Sequence, residues 1–450
     1  MSATTAPAAT DISALGTIPE RALLINPPVH DTRFPWSHWR QPTLLLRLAT
    51  LLKQCGTDTK LLDATHWSLT KRLRRRRVDV LDLDGISVNK WRFGTPASAL
   101  AAQLRALATA DWRPDAIYVE CFTTFWWEGA SEVIALARRR FPQAQVVLLG
   151  PYADLAPDHA LTHGGADSVM RNALATLGSY RPDLTLYPRP PNFYYVSLGS
   201  GTRSAEDILE EIADAAAKRI HHFAFSDHAV HRQHPDLFRR VLEGLASKQL
   251  GVNFYALGNL SATDIMAQPD LAGLLKRAGY LQLHFADDRA VPPDESSHKD
   301  TVESHAAAAA LCQAAGFRGR TDDLAASLCI GRPCEDIAER ARLATLLSHH
   351  VGSVILWPYQ PTPNECPEIE LEDQNGKLFP FRHDSGLTYR DYLELLGLAA
   401  VLNAKYRTRT FDFMGTGLIS QLFQRSIVRR AWDAPDEVKG SVNLPLAVRS

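Results

Sequence analysis

The chain has almost no net charge, little sulfur and no long apolar run, and each shortage removes a class of function. Lys+Arg 49 against Asp+Glu 50 leaves a formal net charge of −1. No global field therefore draws nucleic acid or an anionic surface to it. No stretch approaches the roughly 18–20 apolar residues of a membrane span, so neither nucleic acid nor membrane is an expected partner. The amino-terminal MSATTAPAATDISALGT is small and polar, without the basic and apolar regions of a signal peptide. Residues 1–19 read as a disordered lead-in, and the cytoplasm is the expected location. The six cysteines, Cys55, Cys121, Cys312, Cys329, Cys334 and Cys366, are scattered, which argues for reduced thiols rather than a disulfide framework. The closest pair, Cys329 and Cys334, lacks C-x2-C spacing, and no group clusters as zinc or iron–sulfur ligands do. No metal site is expected. One local exception to the even charge is KRLRRRR, Lys71 to Arg77. Such a run can hold a phosphate or an acidic partner, but its ordinary role is a solvated face.

What is present is an alternation. With 45% hydrophobic and 22% charged residues in 450 positions, the chain can bury a large core in two domains. Apolar runs ALLIN, TKLLDA, DAIYVEC and QVVLLG are separated by stretches such as PTLLLRLATLLKQ and GASEVIALARRR, apolar every three or four residues. That pattern predicts an α/β fold, a Rossmann-like doubly wound parallel sheet over residues 20–178, with ligands at the carboxyl ends of its strands. A Pro-rich linker follows at 179–192. Six further strand–helix units over 193–365 predict a partial (β/α) barrel, and 366–450 a helical extension and tail. Ser204 with Asp207 reads as a helix N-cap.

The motifs in their order resemble the cobalamin-binding radical S-adenosylmethionine (SAM) family. LLINPP, LATLLKQCGTDTKLLDA and PDAIYVECFTTFWWEGASEVIALARRRFPQAQVVLLGPYADLAPDHALTHGGADSVM fall where that family's cobalamin domain has its elements. TRSAEDILEEI, HHFAFSDHAV, LLKRAGYLQLHF and SLCIGRPCEDIAERARLATLLSHHVGSVILWPYQPTPN fall on its barrel motifs. The departures matter most. Family members carry C-x3-C-x2-C after the first barrel strand, three thiolates that hold a [4Fe–4S] cluster and leave one iron open to SAM. Here that loop has shrunk to Gly199–Gly201. The resemblance therefore implies no cluster and no SAM cleavage.

Cobalamin remains a candidate cofactor, and its implied contacts are Asn26, Trp36, Asp63, Phe125, Trp126, Gly150 and Tyr152. Phe125, Trp126 and Trp36 either wall a flat ligand or pack between domains. Asp63 and His66 approximate the family's Asp-x-His cobalt loop with one residue too many and no glycine. His222, Asp227 and His228 form the candidate catalytic group at the second barrel strand, against the plainer reading of a polar barrel mouth left by an active ancestor. Asp287 and Asp288 invite the same two readings, whereas His30, Asp31, His38, Asp158 and His159 are either converging acid/base or metal groups or loop side chains satisfied by backbone and water. Two functions follow. One is a scaffold or accessory subunit partnered with an active radical SAM relative or another pathway enzyme. The other is an enzyme of polar chemistry acting on a small molecule at the strand ends.

Overall fold

The computed structural model describes residues 17–32, 41–66, 73–188, 191, 193–199, 203–227, 230–286, 295–318, 323–333, 335–383 and 386–404. The chain is α/β, with parallel sheets and helices between the strands. In the amino-terminal part the strands are β1 (Arg21–Asn26), β2 (Val29–Asp31), β3 (Asp58–Asp63), β4 (Arg75–Leu83), β5 (Ile86–Phe93), β6 (Ala116–Glu120), β7 (Gln145–Leu149) and β8 (Ser168–Met170). The helices used below are α1 (Thr43–Gln54), α2 (Ala97–Thr109) and α3 (Trp127–Arg140).

A five-stranded sheet runs β3-β1-β6-β7-β8, each neighbouring pair parallel. Its strands read as continuous apolar runs because helices cover both faces. Leu23, Ile25, Ile117, Val119, Val146 and Leu148 bury toward α2 and α3. Ala22, Leu24, Ala116 and Tyr118 bury toward α1 through Leu44, Leu45, Leu48, Leu51 and Leu52. Chain order reverses between β1 and β6, which opens a crevice at their carboxyl ends.

A three-stranded sheet, β2-β5-β4, accompanies it. Sequence reading missed this sheet because the arginine run masked RVDVLDLDG, whose Asp84-Gly85 dipeptide is a hairpin signal. Three of those arginines, Arg75, Arg76 and Arg77, open β4.

The later strands are β9 (Phe193–Val196), β10 (His222–Phe225), β11 (Asn253–Leu260), β12 (Tyr280–Phe285), β13 (Leu324–Ile330) and β14 (Ser353–Pro358). They form one six-stranded sheet in simple chain order, with neighbours parallel from β10 to β14. A helix, α4 (Ala205–Ala217), follows β9 on the N-cap Ser204, whose side chain accepts from the Asp207 N–H. By packing, the described residues fall into two compact units, one of residues up to Leu81, Ser87–His221 and Thr362–Asn375, the other of Asp82–Ile86, His222–Pro361 and those from Gly376 on. Among the described residues no helix is long and apolar enough to cross a membrane.

The segment read as a linker is instead part of the first unit. The Asp183 N–H donates to the Leu46 carbonyl at 2.9 Å, and Thr50 Oγ1 donates to the Arg181 carbonyl at 2.6 Å.

A charged seam joins the small sheet to α3. Arg92 grips Glu132 through Nε and Nη2 at 2.8–3.0 Å, Lys90 Nζ lies 2.6 Å from Glu128, and His30 sits between the two carboxylates, 3.2 Å from Glu132 and 3.6 Å from Glu128. Burial opposes all of these charges, yet the hydrogen bonds and opposite charges outweigh it. His30 is held above its ordinary pKa, and Glu128 and Glu132 are each pulled down to about 2. The two carboxylates therefore contribute stability above the unfolded carboxylate value of 4.5, and it is lost as pH falls toward 2. His30 contributes below its ordinary value of 6.5, and that part is lost as pH rises through its raised pKa. Thermal melts against pH should therefore fall on the acid side. Glu132→Gln should flatten that limb and lower stability near neutrality by about 1–3 kcal/mol. An acid limb identical to the parent's would exclude the seam as its source.

Candidate functional site

Asn26 ends β1, which borders the crevice, and Asp63 ends the neighbouring strand β3. Asn26 Nδ2 donates to Asp63 Oδ1 at 2.7 Å and to Thr65 Oγ1 at 2.8 Å, and Asp63 Oδ1 also receives the Thr65 N–H at 3.0 Å. Asp63 Oδ2 receives the Tyr187 hydroxyl at 2.7 Å, and the Tyr187 ring stacks on His66 at 4.9 Å. Burial, then the Asp63 charge, holds the Tyr187 phenol well above its ordinary pKa. On the other side of the reversal, Glu120 Oε2 accepts the Leu45 N–H at 3.1 Å, in the first turn of α1, where an anionic ligand group would otherwise find backbone donors. The polar groups of the crevice thus bind one another.

The aromatic candidates are core. Phe125 is 7% exposed, Trp126 6% and Tyr152 0%, and Phe125 meets Trp126 edge-to-face at 5.8 Å. Trp126 Nε1 donates to the buried Asp31 at 3.2 Å, and the Tyr152 hydroxyl is 2.7 Å from His159 Nδ1. The segment Thr362–Asn375 lies over this end of the sheet. Leu371 joins the core, Glu372 accepts from Trp127 Nε1 at 2.8 Å, and Asn375 Nδ2 donates to Asp31 at 3.3 Å. Gly150 has φ +98, and an added Cβ would stand 2.8 Å from the Cys121 carbonyl, so the chain's own packing requires this glycine. Trp36 and His38 lie outside the described residues. A corrin needs a glycine-lined groove and exposed flat faces. The residues present do not fit it, because their faces and polar atoms are already engaged within the unit.

The chain passes from Leu198 to Ser204 in five residues with no cysteine among them. Arg203 closes this passage. Its side chain is 1% exposed and lies 2.7 Å from Glu211 and 2.6 Å from Asp207, while Nη1 donates to the Ser197 carbonyl at 3.0 Å. Glu211 also accepts the Tyr194 hydroxyl at 2.8 Å and faces Arg47 at 3.4 Å. Arg47 in turn donates to the Gly178 carbonyl at 2.9 Å and to the Tyr180 carbonyl. Gly199, at φ +64, leaves room for the arginine, since an added Cβ would lie 2.8 Å from Arg203 Cγ and Cδ. Two buried cations thus share one buried carboxylate, with Asp207 at the rim. A [4Fe–4S] cluster does not fit here: the donors are carboxylates and carbonyls bound to fixed guanidinium charge, with no thiolate.

Sequence reading passed over this group, although a signal was present. Arg47 falls between Leu44, Leu48 and Leu51, and Glu211 between Ile208, Ile212 and Ala215, each on the apolar stripe of its helix. A charge on such a stripe is buried and needs a partner.

The second unit separates the proposed catalytic residues. His222 is the first residue of β10 and Phe225 the last, about 10 Å apart at 3.3 Å per residue, and Asp227 lies two residues beyond that end. His222 Nδ1 meets the Tyr255 hydroxyl at 3.0 Å, and Asp227 receives the Ser226 hydroxyl at 3.4 Å. His228, Asp287 and Asp288 lie outside the described residues. A half-buried histidine that sequence reading did not single out, His284 on β12, has its pKa lowered to about 4 by desolvation. Among the described residues no three His, Cys, Asp or Glu side chains form a metal-holding group.

No family model and no curated protein matches the chain. Among solved structures it is similar to a carboxyl transferase domain of Rhizobium etli pyruvate carboxylase with pyruvate, at 16% identity and a TM-score of 0.23. The match covers 72% of this chain, which spans about half (52%) of the length of that one.

Glu211→Ala leaves the buried Arg47 guanidinium facing no carboxylate and Arg203 with Asp207 alone, and chemical denaturation should register a loss of about 3–5 kcal/mol. Glu211→Gln, which keeps the shape and loses the charge, should fall between the alanine variant and the parent. Equal stability of all three would remove the charge from the explanation.

Proposed function

We propose that the chain is a radical SAM-like protein, with a Rossmann-like cobalamin-binding-type domain and a partial (β/α) barrel, that has lost its cluster and works without radical chemistry. It serves as an accessory or scaffold subunit in a biosynthetic pathway, with an active radical SAM relative or another pathway enzyme as partner. The observation that carries this reading is Arg203. Reductive cleavage of SAM needs an electron from a cluster held by three thiolates. The short passage after β9 offers none, and a buried guanidinium tied to Ser197 and Glu211 stands beside it. The filled crevice of the first sheet supports the same reading for cobalamin, since Asn26, Asp63, Phe125, Trp126 and Tyr152 each have an internal partner. The alternative, an enzyme using cobalamin or a metal with His222, Asp227 and His228, has less support, since His222 opens β10 and Asp227 lies beyond its other end.

The test is an absorbance spectrum with metal analysis on protein from cobalamin-supplemented cells, before and after anaerobic reconstitution with iron and sulfide. A colourless protein with neither corrin nor stoichiometric iron is expected. A red or yellow corrin spectrum would favour the enzymatic alternative, and a brown protein with near-stoichiometric iron and sulfide would overturn the proposal.

A further inference from the structure

The three-stranded sheet ends in an edge. Strand β4 pairs on one side with β5 and is the outer strand of β2-β5-β4. From Arg75 to Val80 every residue on it is exposed, with Val78 at 38% and Val80 at 48%. Arg75 stacks on Trp91 at 4.4 Å, whereas Arg74, Arg76 and Arg77 meet no carboxylate among the described residues. Asp79 and Asp82 each use one oxygen locally, for the Val80 and Gly85 N–H groups. An exposed edge with unpaired backbone groups and two bare valines is a template for another strand.

The charge order along the edge selects that strand. Cations fill positions 74–77 and anions 79 and 82, so the sequence complements itself when reversed. With two copies antiparallel and Val78 opposite the second copy's Val78, Arg77 stands opposite Asp79 and Arg74 opposite Asp82, and two-fold symmetry repeats each pair. Directly opposite residues share a face and lie within side-chain reach. A shift of one residue either way leaves one Arg–Asp pair per copy, and centring on Arg77 or Asp79 sets like charges against each other. In-register parallel pairing stacks arginine on arginine throughout.

We propose that β4 is a self-association edge, through which two copies of this chain pair antiparallel about Val78 in a closed two-fold dimer. This goes beyond the accessory-subunit reading and does not rest on it. The interface is small, so association is weak and salt-sensitive.

Sedimentation velocity on the full chain from about 1 to about 200 μM, the affinity range of a small transient interface, should show a reversible rise from monomer to dimer that weakens in high salt. Arg77→Asp and Asp79→Arg should each abolish the dimer without changing the far-UV circular dichroism, since both side chains are exposed. The double variant R77D/D79R restores opposite charges across the two-fold axis and should recover it. A chain that stays monomeric over the whole range would overturn the proposal and leave the arginines as guards against pairing. A double variant that fails to dimerise would also overturn it, as expected of an edge that instead receives a foreign acidic strand.

Discussion

The carboxylate of Glu211 lies in the core of the first unit between two arginines, and the local structure depends on it. Burying one charge costs several kcal/mol even after relaxation. Here the cost is met by reciprocal pairing, with Arg47 and Arg203 on either side and the Tyr194 hydroxyl completing the shell. Arg47 ties α1 to the carbonyls after the eighth strand, and Arg203 ties the end of β9 to α4. One acid thus fixes both the first helix and the entry into the later strands. Such an arrangement specifies a single geometry more than it adds net stability, which suits a framework.

The same logic governs the crevice of the first sheet. An α/β sheet that reverses its strand order offers polar strand ends and helix N–H groups to a ligand. In this chain Glu120 takes an α1 donor, Tyr187 takes Asp63, and Thr362–Asn375 supplies Glu372 to Trp127 and Asn375 to Asp31. The polar strand ends and their aromatic neighbours make contacts within the first unit.

Most of the parallel framework was legible in the sequence, because buried strands are continuous apolar runs and their helices keep a 3.6 period. β12 coincides with YLQLHF, and β10 starts one residue into HHFAFS. The small antiparallel sheet was not read, since exposed strands carry no apolar run and the arginines outweighed the Asp-Gly turn. Site residues were harder. Phe125 and Trp126 read equally as ligand walls or as packing because sequence cannot tell an aromatic facing a pocket from one facing the chain's own later segment, more than 200 positions away at Leu371. His222 and Asp227 looked adjacent because five positions in sequence seem close, until a strand extends them. The charges on the apolar stripes were the missed evidence, legible from periodicity alone.

Whether Arg203 and Glu211 act as one unit is measured directly by a double-mutant cycle. Stabilities of the parent, Arg203→Ala, Glu211→Ala and the double variant should show each single change costing more than half of the double, with a coupling of about 1–3 kcal/mol between the sites. Additive losses would mean that the two side chains are independent, and that the passage after β9 is closed by something other than this ion pair.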